Sequence, residues 1–304
     1  MSILKQILSI LVVLDSKYLY LASIPATIKH AKLVKQAFTL YLHRFGRKLN
    51  WKNPTRFSEK MHLFKMSVKA EQVTQFADKY QVREYVTKTI GKEYLIPLLG
   101  VYASPTEINL YKLPNSFVLK CTHGSNWNVI CADKAKMDWD AQKEKLTTWL
   151  SSSFYEHFAE RQYRKMQPRI VCEEYIGNSE GLTDYKFHCF AGKPAFVRVM
   201  VGRSTEIKKS SYTLDWQLAP CNYLNSRDGK PAPAAIVAKP KNFEQMIAIV
   251  EKLAAPFPYV RVDLYNVDGK IYFGELTFTP NAGLDIHSPD RYDETYGKLF
   301  QLSF

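Results

Sequence analysis

The chain has 304 residues, of which 46% are hydrophobic and 23% are charged. This ordinary globular composition contains no repeat, no low-complexity linker and no apolar run of about 18–20 residues, so it predicts neither a repeat protein nor a membrane-spanning helix. The formal net charge of +13 favours an anionic partner, such as phosphate groups, acidic polysaccharide, anionic lipid or nucleic acid.

The positive charge is concentrated at the N-terminus, where residues 1–60 hold eleven Lys or Arg against two acids, a net charge of +9. Residues 7–14 (ILSILVVL) are apolar and follow Lys5, as in a signal peptide, but no small-residue cleavage site follows them. We therefore predict that residues 1–50 form a helical basic segment that packs on the protein or lies on the inner membrane surface. A solvated basic face is the alternative interpretation.

Apolar periodicity and turn residues predict the elements that follow. The predicted helices are residues 26–49, 59–69, 74–89 (ended by Gly91), 140–165 and 242–254. The predicted strands are residues 94–99, 116–121, 127–131, 169–176, 184–190, 194–201, 259–266 and 270–276. This order indicates an α+β fold with antiparallel sheets rather than alternating βαβ units, and neither the dinucleotide-binding glycine motif nor the P-loop motif occurs.

Three units are predicted: the basic segment (residues 1–50), an N-terminal and small lobe (51–172) and a large C-terminal lobe (173–304). The five cysteines show no CxxC spacing and lie mostly in apolar runs, which predicts buried reduced thiols in a cytoplasmic protein and no zinc site. They are Cys121, Cys131, Cys172, Cys189 and Cys221.

The most informative segment is the predicted hairpin of residues 259–276, which turns at an Asp-Gly pair. Because residues two apart in a strand share a face, Arg261 and Asp263 point the same way. A three-residue loop sets Glu275 opposite Asp263, whereas a two-residue loop sets Gly274 there. Two carboxylates on one face repel each other unless a cation lies between them, as when carboxylates hold Mg²⁺ beside phosphate groups. An ordinary hairpin with a surface ion pair is the alternative.

Other charged residues are candidates for nucleotide contacts. Lys120 ends an apolar strand before a glycine-containing loop, where the backbone N–H groups of residues 123–126 would cover phosphates. Lys79 is a second candidate phosphate contact, and Glu173 and Glu174 lie on a strand suited to adenine and ribose. Each has an ordinary alternative: a solvated lysine, an exposed helix residue, or two acids at a bend.

A further charged group lies on the strands that begin at residue 184. Lys186 shares a strand face with Asp184, Arg198 lies on the following strand, and Arg203 comes after it. Charged residues in otherwise apolar strands usually line a site or form ion pairs, and both interpretations stay open here.

The order of these features resembles that of ATP-grasp enzymes. The end of the chain is similar to D-alanine–D-alanine ligase, in which Arg-x-Asp precedes a strand carrying Glu-x-Asn. Arg261 matches the arginine, and Asp263 and Glu275 match the two metal carboxylates. Thr277 stands where that motif has asparagine, so the resemblance leaves Asn281 as the candidate for the third metal contact.

Residues 50–300 also resemble the teichuronopeptide-type (TupA-like) ATP-grasp family of capsule and cell-wall polysaccharide clusters. The motifs that carry this resemblance are residues 53–60 (NPTRFSEK), 78–83 (DKYQVR), 96–102 (IPLLGVY), 113–114 (LP), 117–120 (FVLK), 123–125 (HGS), 184–187 (DYKF) and 275–277 (ELT). The resemblance implies an ATP-grasp fold: two α+β lobes whose antiparallel sheets enclose the nucleotide.

The resemblance also implies a Mg²⁺- and ATP-dependent ligase that activates a carboxylate as an acylphosphate and joins it to an amine. The carboxyl would belong to a uronic acid of a bacterial surface polysaccharide, and the amine to an amino acid or amino sugar. The implied site residues are Arg261 and Lys186 for catalysis; Lys79, Lys120, His123, Gly124, Ser125, Glu173 and Glu174 for ATP; Asp184, Arg198 and Arg203 for an acidic substrate; and Asp263, Glu275 and Asn281 for Mg²⁺.

Three other functions stay open. One is a glycosyltransferase using a nucleotide sugar, although the sequence shows no DxD motif beside a donor-binding Rossmann half. The second is an ATP-grasp phosphotransferase acting on a glycan, and the third is a non-catalytic anion- or membrane-binding module built on residues 1–60. The expected partners are an acidic small molecule or glycan and no nucleic acid, with peripheral contact to the inner membrane or to other polysaccharide enzymes through the basic segment.

Overall fold

The computed structural model describes residues 28–177, 182–202, 207–224, 234 and 236–302. The predicted helices of residues 1–27 and the predicted substrate residue Arg203 lie outside the described residues. Within them, no helix combines the length and the apolar character needed to cross a membrane.

Eight α-helices and eleven strands make up the described part of the chain. The helices are α1 (Ile28–Phe45), α2 (Phe57–Met66), α3 (Thr74–Ala77), α4 (Val82–Thr89), α5 (Trp139–Ser151), α6 (Tyr155–Phe158), α7 (Phe243–Ala254) and α8 (Arg291–Leu299). The strands are β1 (Leu98–Tyr102), β2 (Phe117–Cys121), β3 (Asn128–Cys131), β4 (Ile170–Glu174), β5 (Asp184–Phe190), β6 (Lys193–Val201), β7 (Lys208–Tyr212), β8 (Asn222–Leu224), β9 (Tyr259–Val267), β10 (Lys270–Thr277) and β11 (Ile286–Ser288).

The strands form two main antiparallel sheets and one small pair. The small sheet has the order β1-β4-β2-β3, the large sheet has the order β10-β9-β5-β6-β7, and β8 pairs with β11. The predicted α+β class with antiparallel sheets is therefore confirmed. Sequential strands pair mostly as hairpins, which suits the short Gly- and Asp-containing turns between them.

The large sheet buries one face under α7. Met246, Ile249, Val250 and Leu253 recur at helical spacing on α7 and are all buried. They pack in one core with alternate residues of β5 and β9, such as Phe187. The opposite face of these strands is polar, and it faces the small sheet.

The small sheet has its own core. Phe117, Leu119 and Cys121 alternate along β2, are buried, and pack with Leu146 of α5. The residues between them point toward the large sheet. Helices α2 and α4 pack with the core of the large sheet, through residues such as Phe57, so these two helices support the large lobe.

One predicted helix breaks in its middle. Over residues 74–89 the helix stops before Asp78, whose Oδ1 accepts the backbone N–H groups of Tyr80 (2.7 Å) and Gln81 (3.0 Å). These bonds close a turn over residues 78–81, and the new helix α4 begins directly after it. Lys79 consequently lies in the turn between α3 and α4 rather than on a helix.

The predicted helix over residues 140–165 is also too long. It ends at Ser151, and the Ser152 hydroxyl then bonds the carbonyl of Thr148 at 2.6 Å. Serine side chains compete for backbone groups in this way and favour helix ends. The short α6 follows, and Ala159 with a φ of 58° ends it.

The predicted strand at residues 94–99 is displaced. Strand β1 begins only at Leu98, because Pro97 has no N–H group to donate to a sheet. Four elements, β7, β8, β11 and α8, were not predicted. The two short strands are three residues long, which is too short for a periodic signal.

Candidate active site

A cleft of about 700 Å³, its open mouth included, lies between the two main sheets. The small sheet, the turn before α4 and the polar face of the large sheet all contribute side chains. The lining residues are Lys79, Arg83, Leu95, Lys120, Ser125, Asn126, Asn128, Glu173, Lys186, Asp263, Tyr265, Phe273, Gly274 and Glu275.

The β9–β10 hairpin forms the large-sheet wall of the cleft. Arg261 and Asp263 take alternate positions of β9, and Thr277 and Glu275 stand directly opposite them on β10. The predicted pairing of Glu275 with Asp263 is confirmed. It arises from a two-residue turn followed by a register shift between Phe273 and Glu275, and not from a three-residue loop.

Arg261 holds both carboxylates of the hairpin. Its Nε and one terminal nitrogen each donate to an Asp263 oxygen at 2.7 Å, and that nitrogen also donates to Glu275 Oε1 (2.9 Å) and Thr277 Oγ1 (3.0 Å). Lys186, directly across from Asp263 on β5, donates to Asp263 Oδ2. The Asp263 side chain is 3% exposed and that of Glu275 is 40% exposed, so Glu275 is the more exposed of the two hairpin carboxylates that line the cleft.

The charges around Glu275 act on each other across the cleft. Partial desolvation in the cleft opposes the negative charge of Glu275, but the cations of Arg261, Lys186 and Lys79 outweigh this effect and hold its pKa well below the usual range. Burial lowers the pKa of Lys79, and the Glu275 carboxylate partly offsets that shift. The Lys79 ammonium also donates to the carbonyl of Gly124, so it is held against the glycine-containing loop after β2.

The small-sheet wall is built around Glu173. Its carboxylate accepts from Lys120 Nζ at 2.6 Å and from Arg83 at 3.0 Å, and its side chain is 9% exposed. Lys120 pairs with Val171 on β4, so the alternation of the strands puts Lys120 and Glu173 on the same face. Arg83 is fixed by a second bond to the carbonyl of Ile96 at 2.9 Å.

Two of the residues predicted to bind nucleotide lie away from the cleft. His123 Nε2 is 3.0 Å from the carbonyl of Trp149, and its ring packs edge-on against Trp127, so His123 faces the core of the small lobe. Glu174 is exposed and points to the opposite face of β4 from Glu173. Their nucleotide contacts stay predictions, whereas Ser125 lines the cleft.

The residues predicted to bind an acidic substrate lie on the polar face of the large sheet, beside the cleft. Asp184 is buried, with Oδ1 3.9 Å from Lys186 Nζ. Arg198 faces Lys186 from β6 and lies 3.8 Å from Asp285. Asn281, the predicted third metal ligand, is exposed and donates to Asp285 Oδ1 at 3.2 Å. Of these residues only Lys186 lines the cleft.

Arg83, Asn128 and Tyr265 line the cleft and were not predicted as site residues. Tyr265 follows Arg261 and Asp263 at a spacing of two, so strand periodicity carries the signal that places it there. Arg83 lies in one of the sequence motifs described above. Asn128 has no comparable signal, since it is one polar residue at the start of a short strand.

A Mg²⁺ ion is implied by the fold family, and the residues present can be tested against it. In the part of the chain that the structure describes, no group of three or more His, Cys, Asp or Glu forms a ready-made metal site. Asp263 and Glu275 do supply two carboxylates on adjacent strands, and one or two is the number that Mg²⁺ takes when phosphates complete its shell. The hairpin therefore fits Mg²⁺ bound together with a phosphate ligand rather than alone.

Comparisons with known proteins identify a family and several similar chains. The family model described as TupA-like ATPgrasp matches residues 59–301. Solved structures with similar chains include D-alanine–D-alanine ligase from Bacillus anthracis (16% identity, TM-score 0.40, covering 74% of this chain and 64% of that chain) and from Helicobacter pylori (12%, 0.41, 75% and 61%). The ATP-grasp ligase PsnB complexed with minimal precursor is a third (13%, 0.37, 71% and 54%). This chain thus spans less than two thirds of each ligase, and a search of curated proteins gave no match.

Two antiparallel sheets with a charged cleft between them define the class of protein as ATP-grasp. Because the family model covers most of the sequence, the chain belongs to the TupA-like ATP-grasp family. The resemblance drawn from the sequence motifs is thereby confirmed.

Proposed function

We propose that this protein is a Mg²⁺- and ATP-dependent carboxylate–amine ligase that modifies a bacterial surface polysaccharide. The observation that carries the proposal is the pair Asp263 and Glu275, held by Arg261 on one wall of a cleft whose other wall presents Lys79 and Lys120. Carboxylates suited to a metal ion and cations suited to phosphates thus face each other across one space.

The small-sheet wall binds the nucleotide. Lys79 and Lys120 contact phosphate oxygens as point charges, and the backbone around Ser125 adds N–H donors. Lys120 gives up its contact with Glu173 when phosphate arrives. Glu173 keeps its ion pair with Arg83 and therefore does not become an unpaired buried charge.

The large-sheet wall, formed by the β9–β10 hairpin, is the proposed metal-binding side of the cleft. Asp263 and Glu275 would hold Mg²⁺, and the chemistry it would supply when bound is neutralisation of the phosphate oxygens during transfer. Arg261 keeps the two carboxylates in register, and Lys186 supplies a second positive charge beside Asp263.

The reaction consists of two displacements. A substrate carboxylate oxygen attacks the γ-phosphorus of ATP, the bond to the β,γ-bridging oxygen breaks, and ADP leaves behind an acylphosphate. An amine then attacks the acyl carbon, inorganic phosphate leaves, and the amine nitrogen loses a proton to give an amide. Arg261 stabilises the negative charge that develops in both steps, so the protein acts by positioning and electrostatics rather than as a nucleophile.

The polar face of the large sheet binds the acidic substrate. Lys186 and Arg198 stand directly opposite each other on β5 and β6, beside Asp263. Arg203, outside the described residues, stays a predicted contact. The resemblance to polysaccharide-cluster proteins supports a uronic acid carboxyl as the acceptor and an amino acid or amino sugar as the amine.

A coupled assay tests the proposal. Purified protein is incubated with ATP, Mg²⁺ and pairs of uronic acid glycans and amines, and both ADP release and product mass are recorded, with Asp263→Asn as the inactive control. We expect ADP release that requires both substrates and a product lighter than their sum by one water. A phosphorylated glycan would identify a phosphotransferase, and sugar transfer from a nucleotide sugar would identify a glycosyltransferase. The absence of substrate-dependent ADP release across the whole panel would contradict the proposal.

A further inference from the structure

We propose that Gly274 is a positioning residue: its β-bulge places the Glu275 carboxylate in the cleft, opposite Asp263. The inference rests on the metal site of the proposed function. It concerns how the chain builds that site, since Gly274 itself offers no ligand.

The hairpin begins in a register that would not produce the site. Asp268 and Gly269, with φ of 52° and 83°, form a two-residue turn. The ladder then runs regularly from the pair Lys270–Val267 to the pair Phe273–Leu264. A turn of this type fixes the register of the strands that follow it.

Continued without change, this register would bury Glu275. Phe273 and Leu264 form a pair that belongs to the apolar core under α7. Two positions further along, Glu275 would pair with Val262 and enter the same core, because side chains alternate between the two faces of a strand. Gly274 would then stand opposite Asp263.

The bulge at Gly274 reverses which face of the sheet each later residue of β10 points to. With one extra residue in β10, Glu275 pairs with Asp263 and Leu276 takes the core position opposite Val262. Leu276 is 4% exposed, as a core residue should be. Bulges of this kind re-aim side chains next to active sites.

Crowding explains why this position carries glycine. A Cβ atom on Gly274 would lie 3.0 Å from the backbone oxygen of Asp263 and 3.2 Å from Cε2 of Tyr265. The tyrosine ring can turn away, but the Asp263 oxygen is part of the backbone of β9. An added methyl group therefore requires the backbone of β9 or β10 to shift by a few tenths of an ångström at the point where the two carboxylates meet.

The test compares two glycines of the same hairpin. Gly274→Ala crowds the bulge, whereas Gly269→Ala strains the turn without meeting any atom within 4 Å. Mn²⁺ is titrated in the presence of ADP, and the electron paramagnetic resonance signal of free Mn²⁺ is recorded. A parallel titration of ADP without protein gives the Mn²⁺ that ADP alone binds, and the difference measures the metal affinity of the protein. ADP affinity without metal and the melting temperature are measured on the same samples.

We expect Gly274→Ala to bind Mn²⁺ with roughly 10–100-fold lower affinity, the usual cost of disturbing the support of a metal ligand. Its metal-free ADP affinity should be unchanged, because Lys79 and Lys120 are untouched. Gly269→Ala should melt at a lower temperature and bind Mn²⁺ as the wild type does. Equal Mn²⁺ affinity in Gly274→Ala and wild type, or equal losses in both variants, would overturn the inference.

Two further arms keep the outcomes distinct. If the wild type itself binds no Mn²⁺ with ADP, the proposed metal site is overturned together with this inference. If Gly274→Ala does not fold, Gly274→Ala/Tyr265→Ala relieves the ring contact and keeps the contact with the Asp263 oxygen. We expect this double variant to bind Mn²⁺ more weakly than Tyr265→Ala, and equal affinities would overturn the inference.

Discussion

The two walls of the cleft position their charges in different ways. On the large-sheet wall, neighbouring strands fix Asp263 and Glu275, and one guanidinium from Arg261 holds both. On the small-sheet wall, Lys120 and Arg83 arrive from a strand and a helix to meet one carboxylate, that of Glu173. The first arrangement depends on strand register, whereas the second consists of cations that can exchange a carboxylate for phosphate.

This difference predicts that substitutions on the two walls change different measurable properties. Loss of a carboxylate on the large-sheet wall should remove metal-dependent chemistry and destabilise the buried ion pairs. Loss of a cation on the small-sheet wall should weaken nucleotide binding and leave the fold almost unchanged.

Asp263→Asn should have the largest effect. Activity should fall by about 100-fold or more, because a bound metal ion contributes several kcal/mol of transition-state stabilisation. The free energy of unfolding should also fall by about 3 kcal/mol, since Arg261 and Lys186 lose a buried charged partner. ADP release and urea denaturation measure the two effects. Full activity in this variant would rule out the metal role of Asp263.

Lys120→Ala should act on nucleotide affinity. The dissociation constant for ADP should rise roughly 10–100-fold, the equivalent of a hydrogen bond to a charged group. Stability should change little, because Glu173 keeps its ion pair with Arg83. Calorimetry measures the affinity, with Lys145→Ala on the exposed surface of α5 as the control. An unchanged affinity for ADP would place the phosphates elsewhere.

Asp78→Ala should have a smaller effect, which lowers both the stability of the fold and the affinity of the small-sheet wall for ADP. Loss of the bonds to the N–H groups of the turn before α4 should lower the free energy of unfolding by about 1 kcal/mol. ADP should also bind more weakly, because the turn carries Lys79. Asp138→Ala removes a side-chain bond to a backbone N–H at the start of α5 (Oδ1 to the Ala141 N–H, 3.0 Å), away from the cleft, and is the control. Equal ADP affinities in the two variants would show that the turn does not position Lys79.

The smallest predicted effect is a pH dependence of the free energy of unfolding, which arises from the buried carboxyl of Glu160. The carboxyl of Glu160 accepts the hydroxyl of Thr279, just beyond β10, and burial raises its pKa to about 7. Because the folded-state pKa lies above the ordinary value, the associated stability is present at low pH and is lost as the pH rises through about 7. The free energy of unfolding of the wild type should therefore fall between about pH 5 and about pH 7, and that of Glu160→Gln should fall less. Identical slopes in urea titrations would contradict the assignment.

Strand alternation made part of the site predictable. A period of two places Arg261, Asp263 and Tyr265 on one face of β9, and the apolar residues between them fix which face is buried. The same rule places Lys120 on the cleft side of β2. These positions follow from the local sequence, because a strand has only two faces.

The rest depends on contacts that the local sequence does not specify. Sequence patterns did not reveal the break at Asp78, because its side chain bonds backbone groups that a helix pattern treats as internal. The direction of His123 depends on the carbonyl of Trp149, 26 residues away. The bulge at Gly274 lets Leu276 enter the core. That core exists only when β9 and α7 are in place, so the local sequence does not reveal the bulge.

Nucleotide binding with and without metal tests the central claim most directly. The melting temperature is measured with ATP, ADP and a panel of nucleotide sugars, each with and without Mg²⁺, because a ligand that binds the folded state raises it by mass action. We expect a Mg²⁺-dependent increase with ATP and ADP that is reduced in Lys120→Ala and loses its Mg²⁺ dependence in Asp263→Asn. Two results would contradict a cleft in which one wall binds phosphate and the other binds metal. One is a melting temperature that rises only with a nucleotide sugar, and the other is an increase with ATP that is the same with and without Mg²⁺.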